Sequence, residues 1–524
     1  MSRRLSPCAA AVALLLAACA TGAPPGREVA EAPVAATGPV NAAELRRDLF
    51  AFADDSMRGR ETGTPDALRA ARFIAERVRR LGLEPAGDSL YLQRVPLQVE
   101  TFTPDSRLEV RAGATTTPLR IGRDLAPLLN LGPGIPPTRR TADGTIVFAS
   151  YGLAATARRP DDLAGLDLAD RVVVVVNGAP AGSDSATRAR LESQAAISDR
   201  LARILPMRPA AVIVLLVGAG RELYGQVAPS LERNVSLRSA EAEVPEADRV
   251  IPLLLLGTPT AGSPLLPAGW PADDRAQVLG GRRFVASLAQ RRTPIVEYNV
   301  AAVVRGSDPA LQATYVAFGA HYDHVGIVAP VQGDSIANGA DDDGSGTVGL
   351  LAIARALQQS PVKPKRSTLF VWHVGEEKGL LGSSWFADHP TVPIDSIVAQ
   401  LNADMIGRNA PDLLYLVGPR AAPNGQSRRL GAIVDSVNAA SARPFHVDRT
   451  FDNPNHPEHL YERSDHFNYA RKGIPIMFFT TGLHADYHQP SDEAGKIDYE
   501  KMARVARLMM DVGRAVGDTF ARPR

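Results

Sequence analysis

Four apolar segments in the carboxyl-terminal part of the chain are each followed by a histidine or an acid, and this pattern constrains the fold more than any other feature. The segments are ATYVAFGA (313–320), STLFVWHVG (367–375), IVAQLNA (397–403) and IPIMFFTTG (474–482). The polar residues that follow them are, in the same order, His321, the pair Glu376 and Glu377, Asp404 and, after a short loop, His488. An open α/β sheet places its ligand site beyond the carboxyl ends of its strands. The pattern therefore predicts such a sheet, with these side chains gathered at one edge.

The residue types available as ligands indicate which metal would suit such a site. All ten histidines lie between His321 and His488, and the two cysteines, Cys8 and Cys19, lie near the amino terminus. Imidazole and carboxylate without sulfur suit zinc, with manganese or cobalt as alternatives. Two histidines and three acids exceed what one tetrahedral ion with an open position needs, but they suffice for two ions about 3.5 to 4 Å apart that share a carboxylate. The sequence therefore favours a site for two ions.

The segment GADDDGSG (339–346) is the natural source of the shared carboxylate, because its glycines permit a tight turn. A helix predicted directly after it directs the positive end of its dipole toward nearby anionic ligands. A calcium loop of the EF-hand type starting at Asp341 is the alternative, but such a loop needs an acid at its twelfth position, where the chain has Ala352. The adjacent Glu376 and Glu377 also lie among glycines, so one can bind a metal while the other acts as a base.

The chain has 524 residues, more than a single hydrophobic core usually holds. The rest of it divides into regions with different hydrophobic patterns. Residues 43–83 have the apolar spacing of helices, whereas 125–291 contain short β-rich runs separated by proline and glycine. From residue 296 onward strands and helices alternate, which is typical of an α/β fold. We therefore expect a mixed, largely parallel central sheet flanked by helices, with an inserted β-rich domain. The predicted boundaries are 43–124 and 292–524 for the main domain and 125–291 for the insert.

The amino terminus is typical of a targeting segment. Two arginines precede an apolar run that ends at Ala18, and Cys19 completes the sequence LAAC. LAAC resembles the lipobox of bacterial lipoproteins, in which the cysteine is lipidated, with an ordinary cleaved signal as the alternative. We expect a signal peptide over 1–18, a flexible tether over 19–42, and an exported protein of the bacterial cell envelope, lipid-anchored or secreted. The formal net charge of +1 indicates no nucleic-acid partner.

Together these motifs resemble Peptidase family M28, whose members include bacterial di-zinc aminopeptidases. The matching segments follow the family's order and are GAHYDHVG (319–326), NGADDDGSG (338–346), GEEKGLLGS (375–383), LNADMIG (401–407) and the run 461–492. Residues 58–87 are similar to the helix that opens the peptidase domain in lipoprotein members, and 125–291 resemble their protease-associated insert. The resemblance implies a zinc-exopeptidase-like fold.

The resemblance also implies a role for each matching residue. Asp342 would bridge two Zn²⁺ ions, and Glu376 would act as the general base. The remaining roles are zinc ligation by His321 and Asp404 at one ion and by Glu377 and His488 at the other, orientation of His321 by Asp323, and stabilisation of the tetrahedral intermediate by Tyr487. The implied cofactors are therefore two zinc ions per chain.

The activity implied by the resemblance is removal of N-terminal residues by di-zinc-activated water, so the implied partners are peptides with a free N-terminus. Carboxypeptidase or glutaminyl cyclase activity on the same scaffold is an alternative, because fold alone does not define the reaction. A non-catalytic, surface-tethered binding module is a further alternative. It predicts degraded ligands, however, and every motif residue is present.

Overall fold

The computed structural model describes residues 40–128, 137–157, 159–218, 220–221, 224, 228, 232–238, 252–419, 426–456 and 458–523. The predicted signal peptide 1–18, Cys19 and the tether up to residue 39 lie outside these residues. Within the described part of the chain, no helix is both long enough and apolar enough to cross a membrane.

The helices include long ones that pack on the sheets and short 3-10 turns near loops. The α-helices are α1 Ala42–Phe52, α2 Pro65–Arg80, α3 Ser185–Glu192, α4 Gln194–Ile204, α5 Gly346–Gln359, α6 Leu381–Asp388, α7 Arg428–Ala440, α8 His466–Arg471 and α9 Tyr499–Gly517. The 3-10 turns are Asp55–Arg60, Leu205–Met207, Ile394–Ser396, Thr450–Asp452, Leu460–Glu462 and Ala494–Lys496.

The strands form two large sheets and one hairpin. In chain order they are β1 Glu84–Pro85, β2 Leu92–Phe102, β3 Arg107–Ala112, β4 Thr115–Leu119, β5 Leu125–Leu128, β6 Arg139–Phe148, β7 Val172–Asn177, β8 Ala211–Leu216, β9 Arg233–Leu237, β10 Leu253–Gly257, β11 Gln277–Val304, β12 Tyr315–His321, β13 Gly326–Val331, β14 Asp334–Ala337, β15 Ser367–His373, β16 Ile397–Ala403, β17 Leu413–Val417, β18 His446–Asp448 and β19 Ile476–Thr480.

The first sheet places four parallel strands side by side at its centre, in the order β15, β12, β16, β19. Strand β11 pairs antiparallel with β15 on one side, and β17 pairs antiparallel with β19 on the other. Strands β2 and β9 continue the sheet beyond β11, and β18 continues it beyond β17. Helices α1, α5 and α9 pack together on one face, and α6 and α8 pack on the other. The predicted mixed, largely parallel sheet flanked by helices is therefore confirmed.

The four parallel strands end level with one another. His321 at the end of β12 lies beside His373 at the end of β15, and Asn402 of β16 lies between Gly319 and Phe478. Because parallel strands share one carboxyl-terminal edge, the residues that follow each strand emerge close together. The sheet edge therefore gathers the polar residues that the sequence placed after each apolar run.

Both faces of the first sheet are buried, which explains why its central strands are continuous apolar runs. Along β12, Phe318 packs into the core shared with α5 and α9, whereas Ala317 packs into the opposite core with Phe386 of α6. Phe318 stacks on Phe370 with ring centroids 5.3 Å apart. A fully buried side chain of this size stabilises the fold by about 1.5–3 kcal/mol. The core thereby fixes the strand ends that carry the candidate ligands.

The second sheet shares β11 with the first. The first half of this 28-residue strand pairs with β3 and β6, and its second half pairs with β2 and β15. The second sheet continues through the parallel strands β6, β7, β8 and β10 to β5. Strands β3 and β4 join it although they precede residue 125, and β9 joins the first sheet although it lies within 125–291. Strand pairing therefore crosses the predicted boundaries of the 125–291 insert. The assignment of this region as a protease-associated insert stays a prediction.

Candidate metal centre

Two groups of potential metal ligands meet at the edge formed by the parallel strand ends. One group consists of His321, Asp342 and Asp404, and the other consists of His324, Asp342, Glu377 and His488. Within each group, one donor atom from every residue lies within 4.8 Å of the others. The structure thus brings all five predicted ligands together, and it places Asp342 in both groups.

The first group is held by hydrogen bonds from outside it. His321 Nε2 lies 3.2 Å from Asp342 Oδ1 and 3.6 Å from Asp404 Oδ2. The other ring nitrogen, Nδ1, is 3.1 Å from the backbone carbonyl oxygen of Asp323, so Nε2 is the nitrogen turned toward the carboxylates. Ser464 Oγ donates to Asp404 Oδ2 at 2.7 Å. Such contacts fix the orientation of ligands before any ion binds.

The second group contains a histidine that the sequence analysis did not assign. His488 Nε2 lies 3.1 Å from Asp342 Oδ2 and 3.0 Å from Glu377 Oε2. His324 Nδ1 makes a 2.8 Å hydrogen bond with Glu377 Oε1, and its ring meets that of His488 edge-on with centroids 5.4 Å apart. The sequence signal that could have indicated His324 as a ligand was its position in HYDH, three residues after His321.

The donor groups contain ring nitrogens that are free to bind metal. His488 Nε2 and His324 Nε2 have no hydrogen-bond partner among the described residues, although carboxylate oxygens lie 3.0 and 3.1 Å from the former. The carboxylates of Asp342 and Glu377 are nearly buried, with 4% and 6% of each side chain exposed. Buried carboxylates are costly unless a positive charge offsets them. Cations bound between these groups would remove that cost.

The three consecutive acids of GADDDGSG divide into one candidate ligand and two backbone acceptors. Asp341 Oδ1 accepts the N–H of Gly407 at 2.7 Å, and Asp343 Oδ2 accepts the N–H of His321 at 3.2 Å. Both flanking acids are fully buried rather than solvated, and burial raises the pKa of Asp343 well above its usual range. Asp342 is therefore the member of the run that faces both groups of donors.

The turn that presents Asp342 requires glycine at its start. Gly339 has φ of +56°, a left-handed conformation that other residues adopt only at a cost. A Cβ atom at this position would lie 2.3 Å from the carbonyl oxygen of Asp342 and 2.5 Å from the ring of His324. Any larger residue at 339 would therefore displace two of the candidate donors.

The adjacent Glu376 and Glu377 have opposite electrostatic environments. Burial raises the pKa of Glu376 well above its usual range, although the neighbouring His321 opposes this shift. Burial acts in the same direction on Glu377, but His488 and His324 outweigh it and lower the pKa of Glu377 to about 2. Glu376 Oε2 lies 3.9 Å from His321 Nε2, beside the first group without joining it. Because the pKa values of the two glutamates are shifted in opposite directions, one can act as a proton acceptor while the other binds a metal.

Asp323 connects this pair to the rest of the fold. Its carboxylate accepts the hydroxyl of Thr62 at 2.8 Å and the backbone N–H of Glu376 at 3.2 Å. The same carboxylate is 3.9 Å from His321 Nδ1, farther than the carbonyl oxygen of Asp323. The carbonyl of Asp323 thus orients His321, while its carboxylate holds the backbone of Glu376.

A cavity opens beside the donors and is lined by both acidic and apolar side chains. Tyr487 stacks on His488 with ring centroids 3.9 Å apart, and Arg463 Nη2 donates to the Tyr487 hydroxyl at 3.3 Å. The cavity is lined by Asp342, Glu376, Asp404, Met405, Leu460, Arg463, Phe478, Thr480, Gly482, Leu483 and Tyr487. It therefore offers both charged and apolar contacts to a bound molecule.

Arg60 supports the site from the amino-terminal part of the chain, and nothing in its sequence context predicted this. Its buried guanidinium donates to the carbonyls of Tyr322 at 2.8 Å, Asn338 at 2.7 Å and Gly339 at 2.9 Å. It also lies over the ring of Phe52, with 4.6 Å between guanidinium carbon and ring centroid. One side chain thus joins the loop after β12 to the turn that presents Asp342.

Replacing Arg60 by methionine should lower the free energy of unfolding by about 3–5 kcal/mol, because buried carbonyls lose their donor and each such loss costs about 1–3 kcal/mol. Urea denaturation of the full chain followed by circular dichroism measures the change. Arg58→Met is the matched control, since Arg58 is exposed and pairs with Asp66 only at 3.4 Å, and exposed pairs contribute about 0–1 kcal/mol. Equal midpoints for the two variants would contradict the role of Arg60.

Comparison with known proteins agrees with this geometry. Residues 299–513 match the sequence model of Peptidase family M28. Leucine aminopeptidase 1 of Trichophyton rubrum is 28% identical over 243 residues, which are 44% of this chain and 61% of that protein. Leucine aminopeptidase 1 of Arthroderma otae is 29% identical over 243 residues, with the same shares of 44% and 61%. The chain thus spans about three fifths of the length of these relatives.

Two solved structures share the fold over most of their length. The aminopeptidase from Aneurinibacillus sp. strain AM-1 superposes with a TM-score of 0.54 at 19% identity, covering 90% of this chain and 93% of that one. BSAP, a zinc aminopeptidase from Bacillus subtilis, superposes with a TM-score of 0.53 at 17% identity, covering 93% and 98%. The fold is therefore the one found in these aminopeptidases. Over residues 299–513, the chain is similar in sequence to Peptidase family M28.

Proposed function

We propose that the protein is a zinc-dependent aminopeptidase that removes N-terminal residues from peptides, with two zinc ions held by the two groups of donors. The observation that carries the proposal is the placement of Asp342. Its Oδ1 lies 3.2 Å from His321 Nε2, and its Oδ2 lies 3.1 Å from His488 Nε2. A carboxylate whose oxygens face two separate groups of donors suits two ions that share it. The family match and the leucine aminopeptidase relatives support the same reaction.

The residues that would hold the ions are His321 and Asp404 for one, Glu377 and His488 for the other, and Asp342 for both. Imidazole and carboxylate donors without sulfur suit zinc. When bound, two such ions polarise a carbonyl and make water a stronger acid. His324 would keep Glu377 in its orientation through their 2.8 Å hydrogen bond.

Glu376 is the residue placed to move the proton. Its carboxylate lines the cavity, and its pKa, raised by burial, suits a group that takes a proton from water and returns it to the leaving amine. The N–H···O bond from its backbone to Asp323 fixes its position. The Tyr487 hydroxyl, held by Arg463, would donate to the substrate carbonyl oxygen as negative charge develops there.

The cavity suits a free amino terminus next to an apolar side chain. The acids that line it attract a protonated amine. Met405, Leu460, Phe478 and Leu483 form an apolar wall for the side chain of the first residue, which gains free energy on leaving water. The preferred substrates are therefore peptides that begin with a residue such as leucine.

A panel of leucine derivatives tests the reaction with the zinc-loaded full chain. Leucine p-nitroanilide and leucyl-glycine should be cleaved, and N-acetyl-leucine p-nitroanilide should not, because acetylation removes the charged amine. Chelation should stop cleavage, and added zinc should restore it. Release of C-terminal residues from N-acetylated peptides would instead establish a carboxypeptidase. Release of ammonia from glutaminyl peptides would establish a glutaminyl cyclase.

We further propose that the protein is exported and anchored to a membrane of the bacterial cell envelope through a lipid on Cys19. The two leader arginines, the apolar run and LAAC support this proposal. Expressed in bacteria fed an alkyne-tagged fatty acid, the full chain should become labelled and sediment with membranes. Cys19→Ser should be unlabelled and should leave the membrane fraction. Cys8→Ser is the matched control, and equal labelling of Cys19→Ser and the wild type would contradict the anchor.

A further inference from the structure

The loop that carries His488 folds back over the turn that carries Asp342. Asp492, four residues after His488, is fully buried, and its carboxylate accepts the backbone N–H of Asp341 at 3.0 Å and that of Asp342 at 3.1 Å. Its backbone carbonyl accepts the N–H of Ala340 at 3.1 Å. One residue of the His488 loop therefore holds three successive amides of the turn that presents the shared carboxylate.

Arg408 reaches the same loop from the segment that follows Asp404. Its Nη2 lies 2.6 Å from Asp486 Oδ2, and its Nη1 lies 3.7 Å from Asp492 Oδ1. Asp486 is held a second time by Lys496, whose Nζ donates to Oδ1 at 2.7 Å. The Arg408 side chain is 16% exposed. Its guanidinium thus lies between two aspartates that flank His488 in the sequence.

The charges explain why a cation is needed at this point. The buried Asp492 carboxylate lies against the backbone of Asp341 and Asp342, and like charges in a poorly solvated region repel strongly. Arg408 offsets this repulsion, and its planar fork offers donors in two directions at once. A lysine ammonium at the same place would supply the charge but not the planar set of donors that point in two fixed directions.

We propose that Arg408, Asp486 and Asp492 form a clamp that positions Asp342 and His488 to bind metal. The proposal rests on the two-ion site proposed above. The clamp residues act through the two ligands and do not belong to either donor group. Mutating a residue that orients a metal ligand, without itself binding the metal, typically lowers metal affinity by roughly 10–100-fold. We expect a comparable effect for the clamp residues.

Zinc titration of the metal-free full chain against a competing chelator tests the clamp. Arg408→Met should weaken at least one of the two binding steps by roughly 10-fold or more, while the Tm of the metal-free protein stays close to that of the wild type. Arg408→Lys should recover part of the lost affinity because it restores the charge. Arg443→Met is the matched control, since Arg443 pairs with Asp412 on an exposed surface, and its zinc affinities should match the wild type.

The possible outcomes separate the clamp from the function on which it rests. Wild-type zinc affinities in Arg408→Met, or the same loss in Arg443→Met, would overturn the clamp while leaving the two-ion site intact. If Arg408→Met does not fold, Asp486→Asn decides the question, with weaker zinc binding supporting the clamp and unchanged binding overturning it. A large fall in the metal-free Tm without a change in zinc affinity would show a merely structural role. A wild-type chain that binds no zinc would overturn the proposed function, and the clamp with it.

Discussion

Replacing Glu376 by glutamine should reduce turnover of leucine p-nitroanilide by roughly 10²–10⁴-fold or more, the usual contribution of a positioned general base. Glutamine has the same shape as glutamate but cannot accept a proton from water. Because Glu376 lies beside the first donor group without joining it, the variant should still bind two zinc ions per chain. Steady-state kinetics together with metal analysis of the purified full chain measure both effects.

The neighbouring Glu377 provides the matched control for this experiment. Glu377→Gln should lose zinc, since Glu377 lies within the second donor group and 3.0 Å from His488 Nε2. If Glu376→Gln loses metal and Glu377→Gln retains it, the roles of the two glutamates are reversed. If both variants keep full turnover, neither residue acts in the reaction.

Replacing Asp342 by alanine should strongly reduce the zinc bound per chain, and with it the activity. Asp342 belongs to both donor groups, so its loss removes one ligand from each ion at once. Zinc affinity of the metal-free variant, measured by titration against a chelator, should fall at both binding steps. Asp334→Asn is the control, because Asp334 lies on the exposed hairpin β13–β14 outside both groups. An unchanged metal count in Asp342→Ala would eliminate the bridging role.

The strand ends and the polar residues that follow them could be predicted from the sequence because they depend on local order, whereas the choice of Asp342 among three acids and of Glu377 as ligand came from the family resemblance. An apolar run of seven to nine residues predicts a buried strand, and the sheet then brings the following residue to a common edge. His321 and Asp404 are examples, since each directly follows or ends its strand. The electrostatic difference between Glu376 and Glu377 was not accessible in this way, because it depends on His321, His324 and His488 around them.

Supporting residues were missed because their partners are remote in sequence. Arg60 contacts Asn338 and Gly339 across more than 270 residues, and an arginine in a polar stretch carries no local sign of burial. Asp492 accepts backbone amides 150 and 151 positions earlier. Hydrophobic periodicity describes which face of an element is buried, but it contains no information about such long-range polar contacts. Strand pairing across residue 125 was missed for the same reason.

Anomalous diffraction at the zinc edge from crystals of the zinc-loaded full chain would show directly whether Asp342 bridges two zinc ions. We expect two peaks that share Asp342, one contacting His321 and Asp404 and the other contacting Glu377 and His488. A single peak, or two peaks that do not share the Asp342 carboxylate, would contradict this bridging role.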